Sequence, residues 1–176
     1  DLMCARMDLY QLDGQHDYRL DRLQGSKVYH TPLGQGATTA LDDTFRKLTD
    51  ESNGKALDLE VLGRKLTIPQ AAKGVARASF NDLCAAALGA QDYLAPAEAF
   101  DTLILDDIPA LGPENRNEAK RFVTLIDTLY ENHVRLIASA AAEPAQLYPQ
   151  GDGSFAFERT ASRLMEMRSE GWPAGR

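Results

Sequence analysis

Hydrophobic and polar positions between residues 101 and 140 follow the order strand, helix, strand. The run "TLIL" is continuously apolar, which is typical of a strand covered on both faces. Pro113 stands at a first helical position, and apolar residues then recur at helical spacing. These residues are Phe122, Ile126, Leu129 and Tyr130. A second apolar run, "VRLIASA", predicts another strand, so the segment predicts two parallel strands joined by a right-handed helical crossover.

The remaining segments predict shorter elements on both sides of that crossover. Residues 2–12 and the runs "KVYHTPL" and "KGVARASF" favour strands, and "LDLEVLGRKLTI" predicts a β-hairpin. Helical spacing links Ala37, Leu41, Phe45 and Leu48. Three more helices are predicted: "NDLCAAAL" capped by Asn81, "QDYLAPAEAF" interrupted by Pro96, and "FERTASRLMEM". The pattern therefore predicts an α/β fold, a partly parallel sheet flanked by helices with an attached β-hairpin.

Composition narrows the class of protein. The 176 residues, 44% of them hydrophobic, suit one globular domain with a sizeable core. A net charge of -7 argues against nucleic acid as the main partner. Cys4 and Cys84 lack metal-ligand spacing and are typical of buried thiols. No apolar run approaches the roughly 20 residues that a membrane span needs, and a chain that opens on Asp1 is expected to be a fragment.

Two adjacent carboxylates, Asp106 and Asp107, follow the first apolar run. The carboxyl end of a parallel strand is where such sheets bind ligands, so one carboxylate can coordinate Mg²⁺ while its neighbour orients a water molecule. Alternatively, either residue caps a turn before Pro109. A phosphate-binding loop would decide between these interpretations, but "PLGQGATTA" lacks the lysine and "SNGKA" lacks the glycine-rich loop.

Basic and acidic residues are distributed unevenly in the middle of the chain. Residues 61–78 contain four basic side chains and no acidic ones: Arg64, Lys65, Lys73 and Arg77. Residues 79–113 contain six acidic side chains and no basic ones: Asp82, Asp92, Glu98, Asp101, Asp106 and Asp107. The basic hairpin either contacts an anion, such as a nucleotide phosphate or nucleic acid, or is a solvated surface, and four charges do not decide between the two.

Arg159 and Arg163 are four residues apart on the last predicted helix and share a face. One interpretation is that this pair reaches a phosphate across a subunit boundary. The other is that Glu166 pairs with Arg163. His16, His30 and His133 are scattered, with no catalytic or metal-ligand spacing.

Several stretches together resemble the second half of the ZapE-type P-loop ATPases, bacterial cell-division proteins related to a mitochondrial AAA+ type. They include "LEVLGRKLTIPQAAKGVARASFNDLC", "DYLAPAEAF", "LILDDIP", "NEAKRFVTLIDTLYENHVRLIASA" and "FERTASRLMEM". The resemblance runs from about residue 9 to residue 170, and its specificity comes from the order and spacing of loose motifs.

The resemblance implies that the ATPase machinery lies upstream of this chain. Residues 1–12 would be a trailing strand of that core, and residues 13–176 a C-terminal α/β domain. It further implies a cytoplasmic, homo-oligomeric parent that uses ATP and Mg²⁺ and acts with cell-division ring proteins. This chain alone would hold neither cofactor tightly. Arg19, which directly follows the core in the family's order, is a candidate for nucleotide contact, as are Arg159 and Arg163.

The family's two halves also resemble each other in the order of their motifs. "LILDDIP", "VRLIASA", "QLY" and the final arginines are interpreted as a duplicated, degenerate half-site. In it Asp106 and Asp107 replace the Asp-Glu pair expected of a working metal site. The leading hypothesis is a non-catalytic lid, oligomerisation or partner-binding module. The alternatives are an independent Mg²⁺-dependent phosphotransfer or hydrolase enzyme centred on these two carboxylates and, ranked lowest, a nucleic-acid binder using the basic hairpin.

Overall fold

A computed structural model describes residues 27–50, 54–148, 154–169 and 172, without the side chains of residues 154–156. Six strands form one sheet: β1 Tyr29–His30, β2 Lys55–Val61, β3 Arg64–Ala72, β4 Val75–Ser79, β5 Thr102–Ile108 and β6 Arg135–Ala140. The longer helices are α1 Gln35–Thr49, α2 Ala90–Ala99, α3 Arg116–Glu131 and α4 Ser154–Met167. The strand predicted at residues 2–12 and the candidate Arg19 lie outside the described residues.

The strands lie side by side in the order β1-β6-β5-β4-β3-β2. The four adjacent strands β1, β6, β5 and β4 run parallel, whereas β3 pairs antiparallel with both β4 and β2. Helix α3 connects β5 to β6, which is the predicted parallel crossover. The α/β prediction, a partly parallel sheet with an attached hairpin, is therefore confirmed. The carboxyl ends of the parallel strands share one edge of the sheet, where side chains at strand ends can meet.

A tight turn joins the antiparallel strands β2 and β3. Leu62 and Gly63 link β2 to β3 with φ of 50° and 80°, and Val61 pairs directly with Arg64. Positive φ at both central residues is the geometry that matches the twist of a two-residue hairpin. Gly63 adopts it without cost, whereas Leu62 adopts a left-handed conformation that its Cβ disfavours.

Helices cover both faces of the sheet. On one face α1 packs Leu41, Phe45 and Leu48 against Val75, Ile104 and Ile137. On the other face lies the larger core, to which α2, α3 and α4 contribute. Because both faces are covered, β5 and β6 read as continuous apolar runs rather than alternating ones. None of the helices within the described ranges has the length and apolar character needed to cross a membrane.

Two local predictions are wrong. Asn81 does not cap the short helix; it begins a π-helical turn, Asn81–Ala85, while Ser79 and Asp82 exchange backbone-to-side-chain hydrogen bonds of 2.9 and 3.1 Å. Pro96 does not interrupt the next helix, because α2 runs through it to Ala99. Proline removes one N–H donor, but the Phe100 N–H donates to the Pro96 carbonyl at 2.9 Å, so the ladder resumes one turn later.

Candidate functional site

An open cleft of about 270 Å³ lies at the carboxyl ends of β4 and β5, beside α1. Its charged lining consists of Asp42 from α1, Arg77 from β4, Asp82, Asp106 and Asp107. Open α/β sheets bind ligands at this edge, so the fold brings both predicted carboxylates to the expected place. It adds Asp42, Arg77 and Asp82, whose proximity only the tertiary structure establishes.

Arg77 is the centre of the cleft. Its Nε donates to Asp106 Oδ2 at 2.8 Å and its Nη2 to Asp106 Oδ1 at 3.2 Å, a bidentate pair. Its Nη1 donates to Asp42 Oδ1 on α1. The side chain of Arg77 is only 9% exposed, against 18% for Asp106 and 50% for Asp42. One guanidinium therefore ties two strands and a helix together.

The electrostatics of this cluster are set by competition between burial and pairing. Burial raises the pKa of Asp106, and the hydrogen bonds and charge of Arg77 oppose that rise. Burial lowers the pKa of Arg77, but hydrogen bonding to Asp106 and Asp42 outweighs it, so the pKa of the guanidinium lies above its usual range. The arginine is thus held firmly in its charged form, and it is the main counter-charge to Asp106.

Asp107 occupies a different environment from its neighbour. Its φ of 63° is left-handed, and the pairing between β5 and β6 shifts register between Leu105 and Ile108. The Asp107 N–H donates to Ser139 Oγ at 2.8 Å, while its side chain is exposed at the cleft. Both carboxylates therefore lie inside β5, at an irregularity in its pairing with β6, and both line the cleft. The side chain of Asp106 accepts from Arg77 rather than capping a turn before Pro109, and the strand continues to Ile108.

The cleft as arranged does not fit Mg²⁺. This ion needs carboxylate oxygens that are free to coordinate it, usually together with substrate phosphates. Both oxygens of Asp106 already accept hydrogen bonds from Arg77, and one oxygen of Asp42 does as well. Throughout the described part of the chain, His, Cys, Asp and Glu side chains form no group of three or more that is arranged to hold a metal. The Arg77 guanidinium lies between Asp106 and Asp42 and supplies the positive charge beside them.

The nearest approach to a phosphate loop, "PLGQGATTA", runs from the end of β1 into α1. This is the strand–loop–helix connection that phosphate loops use. Gly34 precedes the helix and no side chain caps α1 there. The segment nevertheless supplies no lysine to meet the β- and γ-phosphates, so position in the fold does not restore what its sequence lacks.

The basic hairpin, residues 61–78, is not one continuous positive surface. Arg64 pairs with Asp92 at 2.8 Å, Lys73 lies 3.9 Å from Asp50, and Arg77 is enclosed in the cleft. Three of the four basic side chains therefore face carboxylates. This distribution favours the interpretation of a structural hairpin over that of an anion-binding surface.

Arg159 and Arg163 share one acceptor on α3. Their guanidinium groups donate to the two carboxylate oxygens of Asp127, Arg159 at 3.1 Å, and Arg163 also stacks 4.6 Å from the centre of the Tyr130 ring. Arg163 thus donates to Asp127 on α3, and Glu166 raises the pKa of the neighbouring Tyr130. The arrangement fastens α4 to α3, while Arg159 remains 63% exposed.

Replacing Asp127 with alanine is expected to lower the free energy of unfolding by about 1–2 kcal/mol, because two charged hydrogen bonds at a partly buried helix contact are lost. Urea unfolding at fixed pH measures the change. Asp43→Ala is the matched control, since Asp43 also pairs with an arginine, Arg46, but both side chains are more than half exposed. Equal losses in the two variants would contradict a role for Asp127 in fastening α4.

Sequence reasoning missed Asp42 and assigned Arg77 to a hairpin surface. Asp42 lies one position after the buried Leu41, on a helix whose polar face looks ordinary. Asp42 precedes Arg77 by 35 residues in the chain, and Asp106 follows Arg77 by 29 residues. The available signal was an arginine inside the short, otherwise largely apolar run "VARAS", a buried position at which a charge requires a partner.

Comparisons with known proteins agree with one another. The family model described as AFG1-like ATPase matches residues 1–174. The cell division protein ZapE of Escherichia coli K12 is 33% identical over 97% of this chain and 45% of its own length. An uncharacterized protein of Schizosaccharomyces pombe is 30% identical, with 97% and 44% coverage. Lactation elevated protein 1 homolog B of Danio rerio is 30% identical, with 92% and 39% coverage. No solved structure matches. The chain spans less than half the length of these relatives.

Proposed function

Because the chain belongs to the AFG1-like ATPase family, we propose that it forms a non-catalytic C-terminal half of an ATP-hydrolysing cell-division protein. In this proposal residues 13–176 are an α/β domain that follows the ATPase core, and residues 1–12 are a strand of that core. The domain acts as a lid, an oligomerisation surface or a partner-binding module. ATP and Mg²⁺ belong to the longer protein, and a homo-oligomer with nucleotide between subunits and a cytoplasmic location stay predictions.

The observation that carries the proposal is the state of the carboxylate pair. Both oxygens of Asp106 accept hydrogen bonds from Arg77, and Asp107 lies beside it at the irregularity in the pairing of β5 with β6. Phosphoryl transfer requires a metal that bridges phosphate oxygens and a cradle for those phosphates. The cleft offers a fixed guanidinium in place of the metal, and the 176 residues contain no GxxxxGK[ST] loop.

The two arginines of α4, Arg159 and Arg163, are the candidates for contacting a nucleotide phosphate of a neighbouring subunit. Arg159 is exposed, and its contact with Asp127 is a single 3.1 Å hydrogen bond. Exposed ion pairs of this kind contribute little to stability, so Arg159 can exchange Asp127 for a phosphate at small cost. Arg163 is held more firmly, by the same carboxylate and by Tyr130. We therefore propose Arg159 ahead of Arg163 as a nucleotide contact between subunits, while Arg19 stays a prediction from family order.

The 176-residue chain is expected to show no Mg²⁺-dependent ATP turnover above a buffer blank. The physical reason is the absence of a phosphate cradle and of a carboxylate pair that is free for Mg²⁺. Phosphate release measured at millimolar ATP and Mg²⁺ tests this directly. A denatured sample of the same preparation controls for phosphate release that is not enzymatic.

Asp107→Asn separates this proposal from that of an independent enzyme centred on Asp106 and Asp107. Asp107 is the carboxylate that Arg77 leaves alone, so an enzyme at this cleft would depend on it. Turnover by the parent chain that disappears in Asp107→Asn would replace our proposal with the independent Mg²⁺-dependent enzyme. Turnover that is equal in both chains would point to a site elsewhere, and it would also overturn a non-catalytic role.

A further inference from the structure

Arg77 stands among four carboxylates that line one cleft: Asp42, Asp82, Asp106 and Asp107. Three different segments supply them, namely α1, the turn after β4, and β5. No other lysine or arginine belongs to the described lining of this cleft. Without the guanidinium, like charges would face one another across a partly enclosed space, which disfavours the packing of α1 against the sheet.

The guanidinium does what a bound divalent cation does in other acidic clefts. It contacts carboxylates from two separate elements, Asp42 on α1 and Asp106 on β5, and it is 9% exposed. A divalent ion would hold such carboxylates through its own coordination shell. Arginine differs in being covalently attached and always charged, so the contact does not depend on any free ion concentration.

We propose that Arg77 is a built-in replacement for a divalent cation, which holds Asp42 and Asp106 together so that this cleft keeps its shape without Mg²⁺. The inference deepens the proposed non-catalytic function and rests on it, because a cleft that must not depend on nucleotide-bound Mg²⁺ benefits from a cation of its own. The inference has a specific consequence. Without the guanidinium, the cleft should bind a divalent cation, and the bound cation should stabilise the folded chain.

An ordinary ion pair would not behave in this way. Arg64 and Asp92 make a comparable contact at 2.8 Å, with an aspartate that is 7% exposed. Asp92, however, is a single carboxylate that also accepts the Gly89 N–H at 2.8 Å. Loss of Arg64 leaves one anion and no cluster to attract a divalent ion. Arg64→Met is therefore the matched control for Arg77→Met.

The experiment compares the thermal unfolding of the parent chain, Arg77→Met and Arg64→Met in EDTA, in millimolar Mg²⁺ and in millimolar Mn²⁺. We expect Mg²⁺ or Mn²⁺ to raise the midpoint of Arg77→Met by about 5 °C or more relative to EDTA, as expected for an ion near saturation that binds only the folded state. The midpoints of the parent chain and Arg64→Met should not respond. Mn²⁺ titration followed by electron paramagnetic resonance should detect a bound ion in Arg77→Met alone.

The double variant Arg77→Met with Asp106→Asn should lose most of the cation response. Asp106 is the carboxylate whose two oxygens both accept hydrogen bonds from Arg77 in the parent chain. Three results would overturn the inference. They are a folded Arg77→Met that ignores both ions, an Arg77→Met that stays unfolded at saturating Mg²⁺, and a parent chain that binds Mn²⁺ as well as the variant.

Arg77→Lys provides a second measurement, because lysine keeps the positive charge but lacks the paired N–H donors of the guanidinium. It should fold and remain insensitive to the ions, and a cation response in it equal to that of Arg77→Met would contradict replacement by charge. None of these readouts involves ATP. Turnover by the parent chain would therefore refute the proposed function while leaving the cation measurements to be judged separately.

Discussion

Replacing Phe122 with alanine is expected to lower the free energy of unfolding by about 3–5 kcal/mol, the largest loss that we expect from a single side chain here. Phe122 on α3 is fully buried, and its ring centre lies 5.9 Å from that of Phe80 and 6.0 Å from that of Phe157. Phe80 directly follows β4, Phe122 lies on α3 and Phe157 lies on α4. Truncation removes the contact that joins all three and leaves a cavity between them.

Chemical denaturation followed by far-ultraviolet circular dichroism measures this loss. Met165→Ala on α4 is the control, because Met165 is 46% exposed and its truncation is expected to cost less than about 0.5 kcal/mol. A Phe122→Ala variant that loses less than about 1 kcal/mol would mean that α3 and α4 do not pack on the sheet as described.

Arg77→Met in the absence of divalent cations is expected to lose about 2–3 kcal/mol. Breaking a fully buried pair costs about 3–5 kcal/mol, and the half-exposed Asp42 recovers part of that through hydration. Urea unfolding in EDTA gives the value. Arg64→Met should lose less, about 1–2 kcal/mol, since Arg64 is 56% exposed and the buried Asp92 keeps the hydrogen bond from the Gly89 N–H.

The loss in Arg77→Met should also depend on pH. Burial raises the pKa of Asp106, and the arginine that opposes this rise is gone in the variant, so the folded state binds the proton more tightly than the unfolded state does. A carboxyl with a raised folded pKa weakens the fold as it ionises. The gap between variant and parent should therefore widen as the pH rises from about 4 towards neutrality. A gap that is constant with pH would show that Asp106 does not carry the effect.

Periodicity in the sequence was sufficient for the fold class and for most elements. Continuous apolar runs identified β5 and β6, and helical spacing identified α1 and α3, because burial on one or both faces leaves a direct record in the order of residues. The failures were local. Asn81 and Pro96 carry propensities that neighbouring contacts overrode: the Ser79–Asp82 exchange in one case, and a hydrogen-bond ladder that resumes at Phe100 in the other.

The state of the carboxylates was beyond what the sequence by itself determines. The sequence predicted Asp106 and Asp107 at the carboxyl end of a strand in a parallel sheet, and it contains no phosphate loop. Only the tertiary structure brought Arg77 between Asp106 and Asp42, and Arg159 and Arg163 onto Asp127. Such pairs join residues 29 to 36 positions apart on different elements. Local spacing carries no record of them, because a charge finds its partner through the packing of helices on the sheet.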